Sequence, residues 1–568
     1  MRQKRWRFNT PNPEVVSFLM QKINISEAMA NILALRNINT FEEAERFFNS
    51  DLKNLYDPFL MDGMDVAIDR IISAINNKEK ICIYGDYDVD GTCSAAVLYL
   101  FLKDIKAEVF YYIPNRMTEG YGISNMGIDI AGEKGAKLIV SVDCGITAIE
   151  PVEYAKSKDI DIIISDHHHP KDVLPDAFTV LDPLKPGCKY PAKILSGAGV
   201  AFKIADALTK KMNLGNIHYQ YLDLVAIAAA ADIVPMVDEN RILVTEGIKI
   251  INSNPRPGLK ALIESSGLNR NNGYSTNRLN SSQIVFILAP RINAVGRLGS
   301  AERAVELLIA KDMVTAQSHA KVLEEENKKR RSEDLKTLTD AEAMVKSNVN
   351  LETDKSIVLH QDEWHQGVVG IVASRLVEKF YRPTVMLTTV DGIAKGSARS
   401  VPNFNIYNAL KECEDLLIHF GGHQAAAGLA IEIENISKFR EKFNQIVTST
   451  ITEEDLSPEI SIDTVIKLDK ITEKFYNILV RMQPFGPGNM KPVFCAKGVN
   501  VVYSPRCFKD VHLGLSVRQD NLILDCVGWN MGFYCKQINV NSKLDIIFTI
   551  DRQPNNKIQL ILKDLKIN

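Results

Sequence analysis

The spacing of apolar positions along the chain changes character several times. Between residues 80 and 181, short apolar or β-rich runs at 80–84 ("KICIY"), 107–113 ("AEVFYYI"), 137–142 ("KLIVSV"), 160–164 ("IDIII") and 178–181 ("FTVL") alternate with helical stretches such as 92–103 and 147–158. Strands that are apolar throughout are buried on both faces, so this alternation predicts a doubly wound parallel sheet with helices on either side. Ahead of it, "SEAMANILALRNINTFEEAERFFN" from Ser26 predicts short amphipathic helices that read as an accessory cap. Behind it come two helical segments, 199–212 and 221–234, the second apolar all round and therefore expected to be buried.

Neither Gly nor Pro occurs between Gly299 and Gly367, and 310–346 is rich in helix formers. One helix of roughly 50 Å is expected there at 1.5 Å per residue. A polar helix of that length usually bridges domains, and its "EEENKKRR" reads as a solvated ion-pair face. Strands and helices alternate again over 355–431, up to the Gly-rich "HFGGHQAAAGLAI". From about 458 the texture becomes alternating strands with short turns, an all-β module of about five strands consistent with a small barrel. The expected division is 1–70 helical cap, 71–309 parallel-sheet domain, 310–350 connecting helix, 351–455 smaller α/β domain and 456–568 β-barrel.

A chain of 568 residues with 46% apolar content exceeds one hydrophobic core, which agrees with several domains. The net charge of -3 excludes a global basic field, so any nucleic-acid partner must be held by local patches. Nine cysteines without a CxxC pair, mostly inside apolar runs, point to free thiols in a reducing cytoplasm rather than a disulfide framework or a zinc site. The basic N-terminus lacks the apolar core of a secretory signal, and the longest strongly apolar run, 224–231, is far short of a bilayer span. A cytoplasmic protein with no membrane association is expected.

Candidate chemistry gathers at the ends of the apolar runs. "YGDYDVDGT" follows the first strand and places Asp86, Asp88 and Asp90 in alternation, so they could share one face of an extended segment. The D-x-D-x-D-G pattern also opens an EF-hand loop, but its twelfth position is Val97 and its flanks are a buried strand and an apolar helix. "IVSVDCGIT" puts Asp143 at the tip of one strand, and "IIISDHHHP" puts Asp166, His167 and His168 at the tip of another. Ligands bind at the carboxyl ends of parallel strands, so these groups should converge. Asp232 closes the all-apolar helix before Pro235, where an unpaired buried carboxylate would call for a partner such as a metal. Carboxylates mixed with imidazole favour Mn or Mg over thiolate-bound zinc, and there are enough of them for two ions sharing a bridging Asp.

The motifs "YGDYDVDGT", "VDCGIT", "SDHHHP" and "AAADIVPM", in that order, resemble the four motifs of the DHH phosphoesterase superfamily. More closely, the whole chain resembles the RecJ-type single-strand-specific 5′→3′ exonucleases, through "YYIPNRMTEGYGIS", "LAPRINAVGRLGSAERAVELL", "GSARSVPNFNIYNAL", "FGGHQAAAGLAI" and "QPFGPGNMKPVF". The resemblance implies an α/β DHH domain, a DHH-associated domain and an oligonucleotide-binding barrel, in a metal-dependent enzyme of DNA repair and recombination that releases 5′-mononucleotides with two Mn2+ or Mg2+ ions. By it Asp88, Asp90, Asp143, His167 and Asp232 look like metal ligands, with Asp143 the bridge and Asp86 beside them. His168 would stabilise or protonate the transition state, Asp166 would orient the histidine pair, and His169 has no assigned role. Arg116, Arg291 and Arg297 stand where a terminal 5′-phosphate would be gripped, and Ser397, Arg399 and His423 resemble a substrate-binding edge that His365 and Arg375 could assist. Tyr503, Arg506, Phe508, Lys509, Trp529 and Tyr534 give the barrel the aromatic and basic mixture used on single strands. The implied partners are single-stranded DNA threaded between the DHH and DHH-associated domains, a helicase and a single-strand-binding protein, with a monomeric enzyme. Two alternatives are a DHH phosphodiesterase for short oligonucleotides or cyclic dinucleotides, which leaves the barrel unexplained, and an inactive scaffold, which the intact Asp and His motifs disfavour.

Overall fold

A computed structural model of the chain describes residues 4–268, 278–553 and 555–568. The chain forms two compact units: Phe8–Glu324 with Ser461–Asn568, and Glu325–Ile460 with the residues ahead of Phe8. In the larger unit, β1 (Lys80–Tyr84), β2 (Val109–Tyr112), β3 (Ala136–Val142), β4 (Asp161–Ser165) and β5 (Thr179–Leu181) form a parallel sheet in the order β2-β1-β3-β4-β5. The order reverses between β1 and β3. That is the switch point where an open parallel sheet leaves a crevice for ligands.

Two helices close that crevice, α1 (Val89–Asp104) after β1 and α2 (Gly197–Lys211), and both pack on α3 (Leu222–Ala231). All but the last residue of α3 is buried, as its almost wholly apolar sequence requires, and its one charged residue, Asp223, is paired with Arg256 at 2.6 Å. Beside α2, His218 is 3% exposed against the rings of Phe202 and Tyr219, and neither imidazole nitrogen has a hydrogen-bond partner. Burial, reinforced by Lys210 and Lys203, pushes its pKa down to about 4 even with Asp206 Oδ1 at 3.5 Å. A histidine held neutral in the fold but free to protonate when unfolded stabilises above about pH 6.5, and the contribution is lost as the pH falls towards 4. The urea midpoint is therefore expected to fall over that window, and His218→Gln should flatten the fall. An unchanged profile in the variant would show that His218 is not the group responsible.

The long helix α4 (Met313–Asn348) has 36 residues, about 54 Å at 1.5 Å each, and the division between units falls inside it, after Glu324. Its polar run is not uniformly solvated, contrary to expectation. Asn327 within it is buried, and Arg330 donates to Asn327 Oδ1 at 2.6 Å.

Five strands, Phe494–Val501, Lys543–Arg552, Ile558–Ile567, Leu522–Gly528 and His512–Gln519, pair in a closed ring, with Thr464–Val465 and Arg506–Phe508 appended. The N-terminal helices Pro13–Ile23 and Glu27–Ala34 belong to this barrel's core, where Leu19, Met29 and Leu33 cluster with Leu468, Phe494 and Phe548. Buried Arg241, on the helix Asp238–Ser253, donates to the carbonyls of Phe47 (3.0 Å), Met482 (2.8 Å) and Arg481 (3.2 Å) and so fixes this assembly to the sheet domain. The smaller unit holds a five-stranded sheet in the spatial order Leu417–Gly422, Ala426–Ile431, Ile393–Arg399, Thr384–Val390 and Ile357–His360, with only the last two parallel. No helix among the described residues is long and apolar enough to cross a membrane.

Candidate metal centre

The carboxylates after β1 do not lie along one extended segment as the alternation suggested. The chain turns into α1 at Asp88, the N-cap, whose Oδ1 accepts from Gly91 N at 3.0 Å, and Asp90 already sits in the first helical turn. The turn is tight enough that a Cβ on Gly91 would lie 2.6 Å from the Asp86 backbone. Asp90 then reaches across to α2, where its two oxygens accept from Gly197 N (2.7 Å) and Ala198 N (2.8 Å), amides that a helix start leaves without intrahelical partners. Asp143 follows β3 at φ 63°, a left-handed conformation that Asp tolerates. It packs on the same helix start so closely that a Cβ on Gly197 would meet its Cβ at 2.6 Å.

Asp166, after β4, is buried and accepts from His167 N (2.8 Å), His168 N (3.2 Å) and Ile146 N (2.9 Å), with His168 Nδ1 at 2.7 Å. It thus fixes the ring of His168 and the backbone of both histidines. The His167 ring turns the other way, its Nε2 lying 3.0 Å from Asp143 Oδ1 and 3.8 Å from both Asp90 Oδ2 and Asp232 Oδ2. Asp232 ends α3, but its side chain keeps 30% of its accessibility, so the expectation of a buried carboxylate there is corrected: the helix is buried and its end opens to the site.

These groups form two adjoining cradles with ligand atoms within 4.8 Å of one another, Asp86 with Asp88 and Asp143, and Asp90 with His167 and Asp232. Asp143 also groups with His167 and His168, so it stands at the junction. Asp86 Oδ1, Asp143 Oδ1 and His167 Nε2 are buried with no hydrogen-bond partner. Burial and neighbouring carboxylates push Asp86 and Asp143 well above the usual carboxylate range, raise Asp90, and bring Asp232 up to about 8. Buried carboxylates this close repel unless a cation lies among them, and the oxygen-rich donor set with one imidazole suits Mn2+ or Mg2+. Gly197→Ala is expected to displace Asp143 and weaken Mn2+ binding by about 10–100-fold, the cost of disturbing the shell that orients metal ligands. Titration of Mn2+ against melting temperature measures it, and an unchanged midpoint would contradict the packing argument.

His168 stands beside His167, with ring centroids 4.4 Å apart. Burial alone would lower its pKa, but the Asp166 carboxylate outweighs burial and raises it to about 9. Tyr121, which the sequence reading passed over, brings its hydroxyl to 3.2 Å from His168 Nδ1 and 3.3 Å from the Asp143 carbonyl. Its position between Gly120 and Gly122, both at positive φ, was the available signal. Arg116 lies over the Tyr87 ring at 5.1 Å and its charge reaches Asp86, while Arg297 is within electrostatic reach of the same tyrosine. Arg291 is corrected: it is buried, with Nε donating to Glu324 at 2.6 Å and Nη1 to the Ile287 carbonyl at 2.6 Å, so its guanidinium has internal work rather than a free face for a phosphate.

In the smaller unit, Arg399 Nη1 donates to Ser397 Oγ at 2.6 Å, and Gly370 leaves the room they occupy, since a Cβ there would meet Arg399 Nη2 at 2.9 Å. His423 is exposed at the tip of the hairpin after Gly422. His365 caps the helix Gln366–Phe380 by accepting from Gly367 N at 2.9 Å, and Arg375 pairs with Asp334 at 2.9 Å, so both have structural roles. On the barrel, Trp529 and Tyr503 are exposed with Arg506 and Lys509, and Trp529 groups with Phe508 and His512. Tyr534 instead packs against the barrel core and donates to the Leu565 carbonyl at 3.2 Å.

Comparison with known proteins matches residues 80–229 to the DHH family N-terminal domain, 353–449 to the DHHA1 domain and 462–564 to the RecJ OB domain. The chain is similar to the single-stranded-DNA-specific exonuclease RecJ of Bacillus subtilis (strain 168), 39% identical over 99% of this chain and 71% of that protein. The enzyme of the same name from Salmonella typhimurium is 32% identical over 94% of this chain and 95% of its own length. Among solved structures, RecJ from Thermus thermophilus in complex with Mn2+ superposes with a TM-score of 0.83 at 27% identity, covering 99% of this chain and 79% of that one.

Proposed function

The chain belongs to the RecJ family of single-stranded-DNA-specific exonucleases, and from that premise we propose that it hydrolyses single-stranded DNA from the 5′ end to 5′-mononucleotides at the Asp and His cluster. The observation that carries the reading is the convergence of Asp86 Oδ1, Asp143 Oδ1 and His167 Nε2, buried and without hydrogen-bond partners, at the sheet's switch point. Asp88, Asp90, Asp143, His167 and Asp232 would hold two divalent cations, with Asp143 shared and Asp86 completing the cradle of Asp88. When bound, Mn2+ or Mg2+ lowers the pKa of water and neutralises charge at the reacting phosphate.

The chain's own groups do the rest. Asp90, locked by two amides of α2, fixes one wall of the site and spends no conformational freedom on binding. His168, with Nδ1 held by Asp166, keeps Nε2 for the phosphate, where a charged imidazole can stabilise a developing oxyanion or give a proton to the departing 3′-oxygen. Arg116, whose charge reaches Asp86, and Arg297, within reach of Tyr87, would supply positive charge for a terminal 5′-phosphate. Within the smaller unit, Ser397, Arg399 and His423 offer polar groups to single-stranded DNA, and on the barrel the exposed Trp529 with Phe508 and His512 offers stacking surface. We extend the reading to a cytoplasmic monomer that works with a helicase and a single-strand-binding protein.

A dinucleotide phosphodiesterase would share the cluster but have no use for the barrel. Competition among a long single strand, a duplex of the same sequence and a dinucleotide, in Mn2+, separates the two. Preferential loss of the long single strand is expected; preference for the dinucleotide would overturn the reading.

A further inference from the structure

Seven of the nine cysteines are buried, and the two that solvent reaches, Cys507 and Cys535, lie together on the barrel. Cys507 is the middle residue of the strand Arg506–Phe508, which pairs on one side only, with His512–Gln519. Cys535 belongs to the 3₁₀ turn Gly532–Lys536, three residues after Gly532. Residues three apart eclipse on such a turn, so Gly532 and Cys535 present the same side. That side faces Cys507. A Cβ on Gly532 would lie 3.1 Å from Cys507 Sγ, Gly532 N donates to the Val511 carbonyl at 2.9 Å, and the Cys507 thiol is close enough to Cys535 to bear on its ionisation. The turn is held in this position by Tyr534, bonded to the Leu565 carbonyl, and by buried Ile538 just beyond it. Nothing in the nuclease chemistry uses either thiol.

We propose that Cys507 and Cys535 form a modification site, a dithiol that a hydroperoxide converts reversibly to an intramolecular disulfide. Cys507, the more exposed, reacts first. Its thiolate sulfur attacks one peroxide oxygen, the O–O bond breaks, and the departing oxygen takes a proton to leave as water, or as an alcohol from an organic peroxide. Cys507 is now a sulfenic acid. Cys535 Sγ attacks that sulfur, the S–S bond forms as the S–O bond breaks, and the proton given up by Cys535 leaves with the hydroxyl as a second water. Two thiols are oxidised and one peroxide is reduced. Burial and the neighbouring Cys507 push the Cys535 thiol up to about 11, so it keeps its proton until the sulfenic acid is beside it. Cys526, nearby in sequence, is buried with its thiol held protonated, and serves as an internal control.

The test treats the full-length chain with hydrogen peroxide, blocks remaining thiols with N-ethylmaleimide, digests with trypsin without reduction and reads the peptides by mass spectrometry. The expected product joins the peptide 507–509 to 519–536 through Cys535, lighter by two hydrogens than the separate peptides, and dithiothreitol releases it. Cys507→Ser should abolish the product while Cys526→Ser preserves it; both variants leave the Asp and His cluster untouched. Oxidation of Cys507 to sulfinic acid with Cys535 still blocked by maleimide, or disulfide found only between chains, would overturn the proposal.

Discussion

Asp143→Asn is expected to lower Mn2+-dependent degradation of single strands by about 10²–10³-fold, the scale of removing one preorganised electrostatic contact at a reacting centre. Asn is the cleaner replacement than Ala because the position has φ 63°, which Asn accepts and a residue with a plain Cβ resists. The loss would not come from unfolding. Asp143 is pushed well above its usual range by burial and by Asp90, Asp88 and Asp86, so without a cation its charge opposes the fold. In a chelator, the variant should melt at or above the wild-type temperature, while the rise that Mn2+ confers on the wild type should shrink or vanish. Retained activity with an intact Mn2+ response would remove Asp143 from its central place.

His168→Ala is expected to cost about 10²-fold or more in kcat, the usual worth of a positioned acid or base. The ring is tied through Nδ1, to Asp166 and Tyr121; it groups with Asp143 and His167, but it lies outside both the cradle of Asp86, Asp88 and Asp143 and that of Asp90, His167 and Asp232. The Mn2+-dependent rise in melting temperature should therefore survive the substitution, which separates His168 from His167. Loss of both together would instead make His168 a metal ligand.

Much of the architecture was legible in the sequence because burial on both faces leaves a mark. The runs "KICIY" and "IDIII" became β1 and β4, and 222–231, apolar apart from Asp223, became a buried helix. The Asp and His groups were found because each closes such a run. What escaped was geometry that a local pattern cannot carry. The alternation Asp86, Asp88, Asp90 looked like period two, but the junction of strand and helix falls between them, and only the tight approach at Gly91 reveals it. Arg291 stands in a motif whose resemblance implies a grip on a terminal phosphate, yet its partner Glu324 is 33 residues away on α4. The Asp90 contacts with Gly197 and Ala198 span more than a hundred residues, and the thiol pair is separated by two whole strands.

The most direct measurement follows nucleotide release from single strands labelled at the 5′ or the 3′ end, with Mn2+ or with a chelator. The 5′ label is expected to appear first, as mononucleotide, and only with the metal. Release beginning at the 3′ end, labelled fragments of many lengths, or undiminished cleavage in the chelator would contradict a metal-dependent 5′ exonuclease built on Asp143 and His167.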